Sequence, residues 1–291
     1  MKKIAILGCE NSHANTFLKF IKEQERYQDV EVVGVYSHDA TASEKLNAEF
    51  GVPVLSSYED AVGKVDGLII TARHGDNHYK YAKPYIESGI PMFIDKPITV
   101  TESDAVEFMQ ACQRYGVKLV GGSSCKHADA VYELKADAEK EVDGKTIGGF
   151  VRCPVSLDNP NGGFFFYAQH LVEIVCAIFG QYPKNVKAYK NDGQVTVIFR
   201  YEKYDVVGLF VNEVYTCYYA ARVAEKNVKG ISFDMFPETP YLREFEEFYN
   251  LLCGKAQPIS YKDFVAPVFI MNAIKYSMDN GVEVEVKTYG V

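Results

Sequence analysis

Over the first 121 positions, short apolar runs alternate with stretches of helical spacing. Ile4 to Leu7, Val30 to Tyr36, Val65 to Thr71, the run ending at Asp95-Lys96, and Val117 to Gly121 read as buried strands. Between them, Ala14 to Glu25, Ala42 to Phe50, Asn77 to Ser88 and Glu102 to Tyr115 carry the helical period, and Gly51, Gly89 and Gly116 stop the last three. This alternation predicts an α/β domain over residues 1–121, a Rossmann-type doubly wound parallel sheet with helices on both faces.

From residue 122 the pattern changes. A helix is expected over roughly Ala128 to Glu141, a strand over Gly148 to Val155, and an apolar, aromatic helix over Phe165 to Phe179. Alternating stretches follow at Val195 to Tyr201, Val206 to Val211 and Ile231 to Met235, with a turn signal at Asn191-Asp192-Gly193. Strands in succession predict a large, mostly antiparallel sheet. Helices over about Tyr241 to Leu252 and Tyr261 to Met278 and a last strand, Val282 to Val286, complete an α+β domain over residues 122–291 that would bind substrate and mediate oligomerisation.

Composition narrows the class. With 291 residues and 47% hydrophobic content the chain can bury two cores. A net charge of -8 without blocks of like charge argues against nucleic acid as a partner. No apolar run approaches a membrane span, and the run before Cys9 is too short for an export signal, so it reads as a first strand. Seven cysteines without a Cys-x-x-Cys pair read as reduced thiols of a cytoplasmic protein. His13, His78 and His170 lie on separate elements without zinc spacing, so no metal is expected.

The chemistry concentrates at strand ends. Pro97 cannot donate to a ladder and keeps Lys96 extended, so the fourth strand stops with Asp95 and Lys96 at its carboxyl edge, where open α/β sheets bind ligands. A partly buried lysine there can hold a substrate hydroxyl and trade a proton with it; a strand-end ion pair facing water is the structural alternative. After the first strand, Gly8-Cys9-Glu10-Asn11-Ser12-His13 keeps one glycine of the dinucleotide fingerprint and puts Glu10 in place of the second. Ser12 and His13 can donate to a phosphate, and Asn11 or Ser12 can equally cap the following helix. At the end of the second strand Ser37 stands where an acid usually receives the adenine ribose. That leans towards NADP, with His38 against the adenine or the 2'-phosphate, while Asp39 can restore NAD.

Together these motifs resemble the Gfo/Idh/MocA family, the glucose-fructose oxidoreductase and inositol dehydrogenase group. Asp95-Lys96-Pro97 corresponds to its Glu-Lys-Pro, Thr71 to His78 to its Thr-Pro-x-x-x-His without the proline, and Gly162-Gly163 with His170 and Glu173 to its Gly-Gly and Asp-x-Gly-x-His-x-x-Asp helix. The resemblance implies NAD or NADP as cofactor, contacted by Gly8, Glu10, Asn11, Ser12, His13, Ser37, His38, Thr71, His78, Asp95 and Lys96. It implies hydride transfer to or from a carbohydrate or polyol-like small molecule, with Lys96 and His170 or Tyr167 catalytic and Ser124 and Lys126 at the substrate. It also implies a homodimer or homotetramer. Phe166 replaces the aspartate that polarises the family's histidine, and Tyr167 offers an alternative phenolic acid. Glu10 and Phe166 motivate two other readings: a binding or regulatory protein without catalysis, and a non-redox lyase or glycosidase using NAD transiently.

Overall fold

The computed structural model describes residues 1–235 and 238–290. Strands β1 (Lys2–Leu7), β2 (Val30–Tyr36), β3 (Gly67–Ile70), β4 (Met92–Asp95) and β5 (Leu119–Gly122) pair in parallel in the order β2-β1-β3-β4-β5. Helices α1 (Ser12–Glu23), α2 (Ala40–Phe50), α3 (Asp76–Ala82) and α4 (Glu102–Tyr115) connect them. Every residue of β3, β4 and β5 is buried, as in a sheet covered on both faces. Gly51, Gly89 and Gly116 end their elements in the left-handed conformation. The helix expected over Asn77 to Ser88 breaks into α3 and a tighter 3-10 stretch, Lys83–Ser88, because Pro84 has no N–H to continue the α ladder.

The chain divides into two units, one of Met1–Gly122 with Tyr241–Phe264, the other of Ser123–Pro240 with Val265–Val291. The expectation that everything after 121 forms one domain thus differs over Tyr241–Phe264. Half of that segment belongs to α7 (Thr239–Leu252), whose Phe245, Phe248 and Leu251 complete the core of the first unit with Phe17, Tyr27 and Phe93. The Phe245 ring lies 5.3 Å from Phe17 and 4.9 Å from Tyr27. Gly67 permits this approach: a Cβ there would stand 2.4 Å from Leu252.

The second unit contains α5 (Asp129–Glu139), β6 (Thr146–Val155), α6 (Phe165–Phe179), β7 (Asn185–Asn191), β8 (Gln194–Arg200), β9 (Asp205–Asn212), β10 (Tyr218–Ala224) and β11 (Val228–Phe233). It also takes most of α8 (Tyr261–Asn280) and the two-residue β12 (Val284–Glu285). The sheet order is β11-β10-β6-β9-β8-β7-β12, antiparallel except for β6 and β9. Strands β7 and β10 went unanticipated, and the strand expected at Val282 to Val286 shrinks to β12. The turn at Asp192-Gly193 does close a hairpin, with Gly193 at φ +70°. One face of the sheet buries Val195, Val197, Phe210, Val151 and Ala220 with α6. The other carries Phe150, Ile198, Val207, Leu209 and Tyr219, half-buried. No helix among the described residues is long and apolar enough to cross a membrane.

Candidate active site

In the first unit, the β1–α1 loop begins at Gly8, whose φ of +77° and approach to Ala72 leave no space for a side chain: a Cβ would lie 2.4 Å from the Ala72 Cα. The amides of Gly8 and Cys9 both donate to the Tyr36 carbonyl, at 2.7 and 3.0 Å, and Thr71 Oγ1 donates to the Gly8 carbonyl at 3.1 Å. Asn11, not Ser12, caps α1 by accepting from the His13 amide, and the Ser12 hydroxyl donates to its neighbour Asn11. Cys9 is a neutral thiol, pushed up to about 11 by burial.

Asp95 organises the end of β4. It is fully buried, with His13 Nδ1 2.8 Å from its Oδ2, Asn11 Nδ2 donating to the same oxygen at 2.9 Å, and the Lys96 amide donating to Oδ1 at 2.7 Å. Burial pushes the Asp95 carboxyl up, but the charge and hydrogen bond of His13 together with Lys96 outweigh it and hold the group below its usual range. The acid of the strand-end motif therefore ties the β1–α1 loop to the strand, and Lys96, itself 5% exposed, follows it and joins Pro97 through a cis peptide. His78 is wholly buried, with Nε2 2.7 Å from the Ala72 carbonyl, and burial lowers its pKa. Its visible role is to hold the Thr71–Ala72 turn.

Glu10 does not lie free beside the loop. Ser37 Oγ donates to its Oε2 at 2.7 Å and the Arg73 amide to its Oε1 at 3.0 Å, while His38 Nδ1 stands 3.9 Å away. The carboxylate is thereby fixed at the end of β2. A loop glycine without room for a side chain, the amides of a helix N-terminus and a carboxylate acceptor fixed by Ser37 together fit a dinucleotide.

In the second unit, α6 is buried almost all round, so its polar residues need partners. His170, 6% exposed, has Nδ1 2.6 Å from Ser123 Oγ and 3.3 Å from Cys125 Sγ, and Ser123 Oγ also accepts from the Cys125 amide at 3.1 Å. Glu173 accepts from the Ser123 amide at 3.0 Å and from Gln169, and pairs with Lys126 Nζ at 2.8 Å. Phe166 occupies the family's aspartate position as a buried ring 5.1 Å from Tyr167, so Ser123 is the partner of Nδ1 instead. Tyr167 lies 5.2 Å from His170 and 5.1 Å from the exposed Tyr215. Ser124 is buried beside this cluster in a 3-10 turn, Ser124–His127. His127 bonds Tyr132 at 2.8 Å.

The structure thus gathers Asn11, His13, Asp95 and Lys96 in one cluster and Glu10, Ser37 and His38 in another on the first unit, and Lys126, Tyr167 and His170 on the second. Arg73, Cys125, Gln169 and Tyr215 were not anticipated; Arg73 contributes through its backbone, to which side-chain chemistry gives no signal. Among the described residues no group of three His, Cys, Asp or Glu side chains is placed to hold a metal.

Residues 2–123 match the Gfo/Idh/MocA family, an oxidoreductase family with an NAD-binding Rossmann fold. Inositol 2-dehydrogenase of Ralstonia nicotianae is 24% identical over 165 residues, 55% of this chain and 47% of the relative. The chain thus spans about half the length of the curated relatives it matches. Among solved structures, myo-inositol 2-dehydrogenase of Lactobacillus plantarum is similar with a TM-score of 0.85 at 14% identity, over 98% of this chain and 99% of the other. Scyllo-inositol dehydrogenase of Lactobacillus casei, with bound NAD(H) and scyllo-inositol, gives a TM-score of 0.84 at 15% identity over 98% and 99%. Over residues 2–123 the chain thus matches the Gfo/Idh/MocA family model, and over nearly its whole length it shares the fold of these solved structures.

Proposed function

We propose that the chain is an NAD(P)-dependent oxidoreductase acting on a carbinol carbon of a carbohydrate or polyol-like small molecule. The supporting observation is the buried Asp95-Lys96-Pro97 end of β4, held by His13 and Asn11, within the region that matches an NAD-binding oxidoreductase family. When bound, NAD(P) supplies the hydride acceptor or donor. The loop from Gly8 to His13 receives the pyrophosphate at the N-terminus of α1. Lys96 holds the substrate hydroxyl, and His170 exchanges its proton through Nε2, because Nδ1 is engaged by Ser123. Tyr167, Ser124 and Lys126 contact the substrate. The inositol-directed activities of the relatives support polyols as the first class to test.

The test begins with calorimetric titration of the cofactor-free protein with NAD, NADH, NADP and NADPH, then a polyol and sugar screen with the pair that binds. Lys96→Ala should lose turnover while keeping its circular dichroism. Undiminished turnover removes Lys96 from the mechanism, and no binding of any nucleotide removes the oxidoreductase.

The protein is further proposed to be cytoplasmic, in keeping with seven free thiols, and homo-oligomeric. Phe150, Val207 and Ile198 align across β6, β9 and β8 on the half-buried face of the second sheet, an apolar row that a second copy would cover. Light scattering that returns a monomer refutes the assembly.

A further inference from the structure

We infer that Glu10 takes over the adenine-ribose contact that the end of β2 lacks, and thereby makes the protein select NAD over NADP. This rests on the proposed nucleotide-dependent function and concerns which nucleotide enters. In doubly wound dinucleotide folds the discriminating acid sits at the end of the second strand, where its carboxylate receives the ribose hydroxyls and repels a 2'-phosphate. Here that place is held by Ser37, and the nearby acid is committed elsewhere: Asp39 Oδ1 accepts from the Thr41 amide at 3.1 Å as the N-cap of α2.

The missing carboxylate arrives from the preceding loop. Ser37 accepts from the Asp39 amide at 3.0 Å and donates its one hydroxyl proton to Glu10 Oε2 at 2.7 Å, so serine here is a tether for an acid. The Arg73 amide holds the other oxygen at 3.0 Å. A carboxylate offers about four acceptor positions. Two are filled from the protein, and the remainder suit the two donors of a vicinal diol. With the side chain 9% exposed and anchored at both oxygens, the charge cannot swing aside to admit a phosphate. His38 Nδ1, 3.9 Å from Oε1 on a side chain 60% exposed, is a nearby group that, when protonated, would oppose this.

The experiment is calorimetric titration of the cofactor-free full chain with NADH and NADPH, for the wild type, Glu10→Gln, Glu10→Gly and Ser37→Ala. The wild type should bind NADH about ten- to a hundredfold more tightly than NADPH, the scale of one charge-assisted hydrogen bond. Glu10→Gln should lose most of that ratio, mainly by gaining NADPH affinity. Ser37→Ala keeps the charge but removes one of its two anchors, and should narrow the ratio less than Glu10→Gln does, by weakening NADH and partly admitting NADPH. Equal or tighter NADPH binding by the wild type, or an unchanged ratio in Glu10→Gln, overturns the inference and leaves the oxidoreductase reading intact. Binding that appears only in Glu10→Gly makes Glu10 a plug and also overturns it. If none of the four proteins binds either nucleotide, the proposed function falls and the inference falls with it.

Discussion

Asp95→Ala should be a strongly damaging single change in the first unit. The substitution strips one fully buried acceptor from three donors: the His13 ring at 2.8 Å, the Asn11 amide group at 2.9 Å and the Lys96 main chain at 2.7 Å. Each hydrogen bond to a charged group is worth about 1.5–3 kcal/mol, but the three share one carboxylate and do not add. Removing one member of a buried ion pair costs about 3–5 kcal/mol, and that range is expected here. For a unit of this size it corresponds to a Tm lowered by about 6–20 °C. With no tryptophan in the chain, urea and thermal unfolding are best followed by far-UV circular dichroism. Native-state hydrogen exchange then assigns the loss to β1, β4 and the start of α1. Because the folded carboxyl lies below its usual value, its contribution is complete above the unfolded pKa near 3.9 and disappears as pH falls through the folded pKa. Asp95→Asn should therefore flatten the acid limb of the stability curve. A loss under about 1 kcal/mol in Asp95→Ala, or an unaltered acid limb in Asp95→Asn, refutes the account of Asp95 as the tie between loop and strand.

Further outcomes follow from other buried groups. Ser123→Ala removes the oxygen 2.6 Å from His170 Nδ1, so the nitrogen-15 shifts of that ring should report a changed tautomer balance and the pH profile of turnover should move; unchanged shifts exclude Ser123 as a positioning residue. His78, wholly buried with a lowered pKa, contributes stability that is present above the unfolded value near 6.5 and lost as pH falls below it. His78→Gln should be less stable than the wild type at pH 8 and show a smaller decline between pH 7 and 5; an equal slope places that dependence elsewhere. Gly8→Ala meets Ala72 at 2.4 Å in a left-handed backbone and should cost at least about 2 kcal/mol by thermal unfolding, whereas a neutral result would mean that the loop can move.

Legibility in the sequence followed hydrophobic pattern strength. Helix α6 was readable to its boundaries, Phe165 and Phe179, because almost every position in it is apolar. Strand β10 was not, since Tyr-Tyr-Ala-Ala-Arg-Val-Ala hides its alternation behind small residues and a buried arginine. Arg222 is satisfied by Thr146 Oγ1 and the carbonyls of Val142 and Gly144, partners some 80 positions away. In β7, Asn185, Lys187 and Tyr189 alternate with Val186 and Ala188 in a mostly polar run near the margin of the sheet. For α7 the stripe Phe245, Phe248, Leu251 announced a helix, but nothing local indicates which core it joins. In the candidate site, strand-end chemistry pointed to Asp95 and Lys96, and the resemblance to a family motif pointed to His170. The hydrogen bond from Ser37 to Glu10 joins residues 27 apart, and its direction depends on where the β2 end lies in space. Sequence alone therefore read Ser37 as a lost acid.

The return of residues 241–264 to the first unit also sets an order of events on the ribosome. When Gly122 leaves the exit tunnel, all five parallel strands exist, but the aromatic surface formed by Phe17, Tyr27 and Phe93 still lacks Phe245 and Phe248. At about 5–20 residues per second, the missing helix is complete roughly six to twenty-six seconds later, during which residues 123–240 of the second unit are made first. The nascent nucleotide domain therefore presents a sticky aromatic patch for that interval. Slow codons between 122 and 241 would lengthen its exposure, and holdase chaperones that bind aromatic surfaces would shorten its consequences.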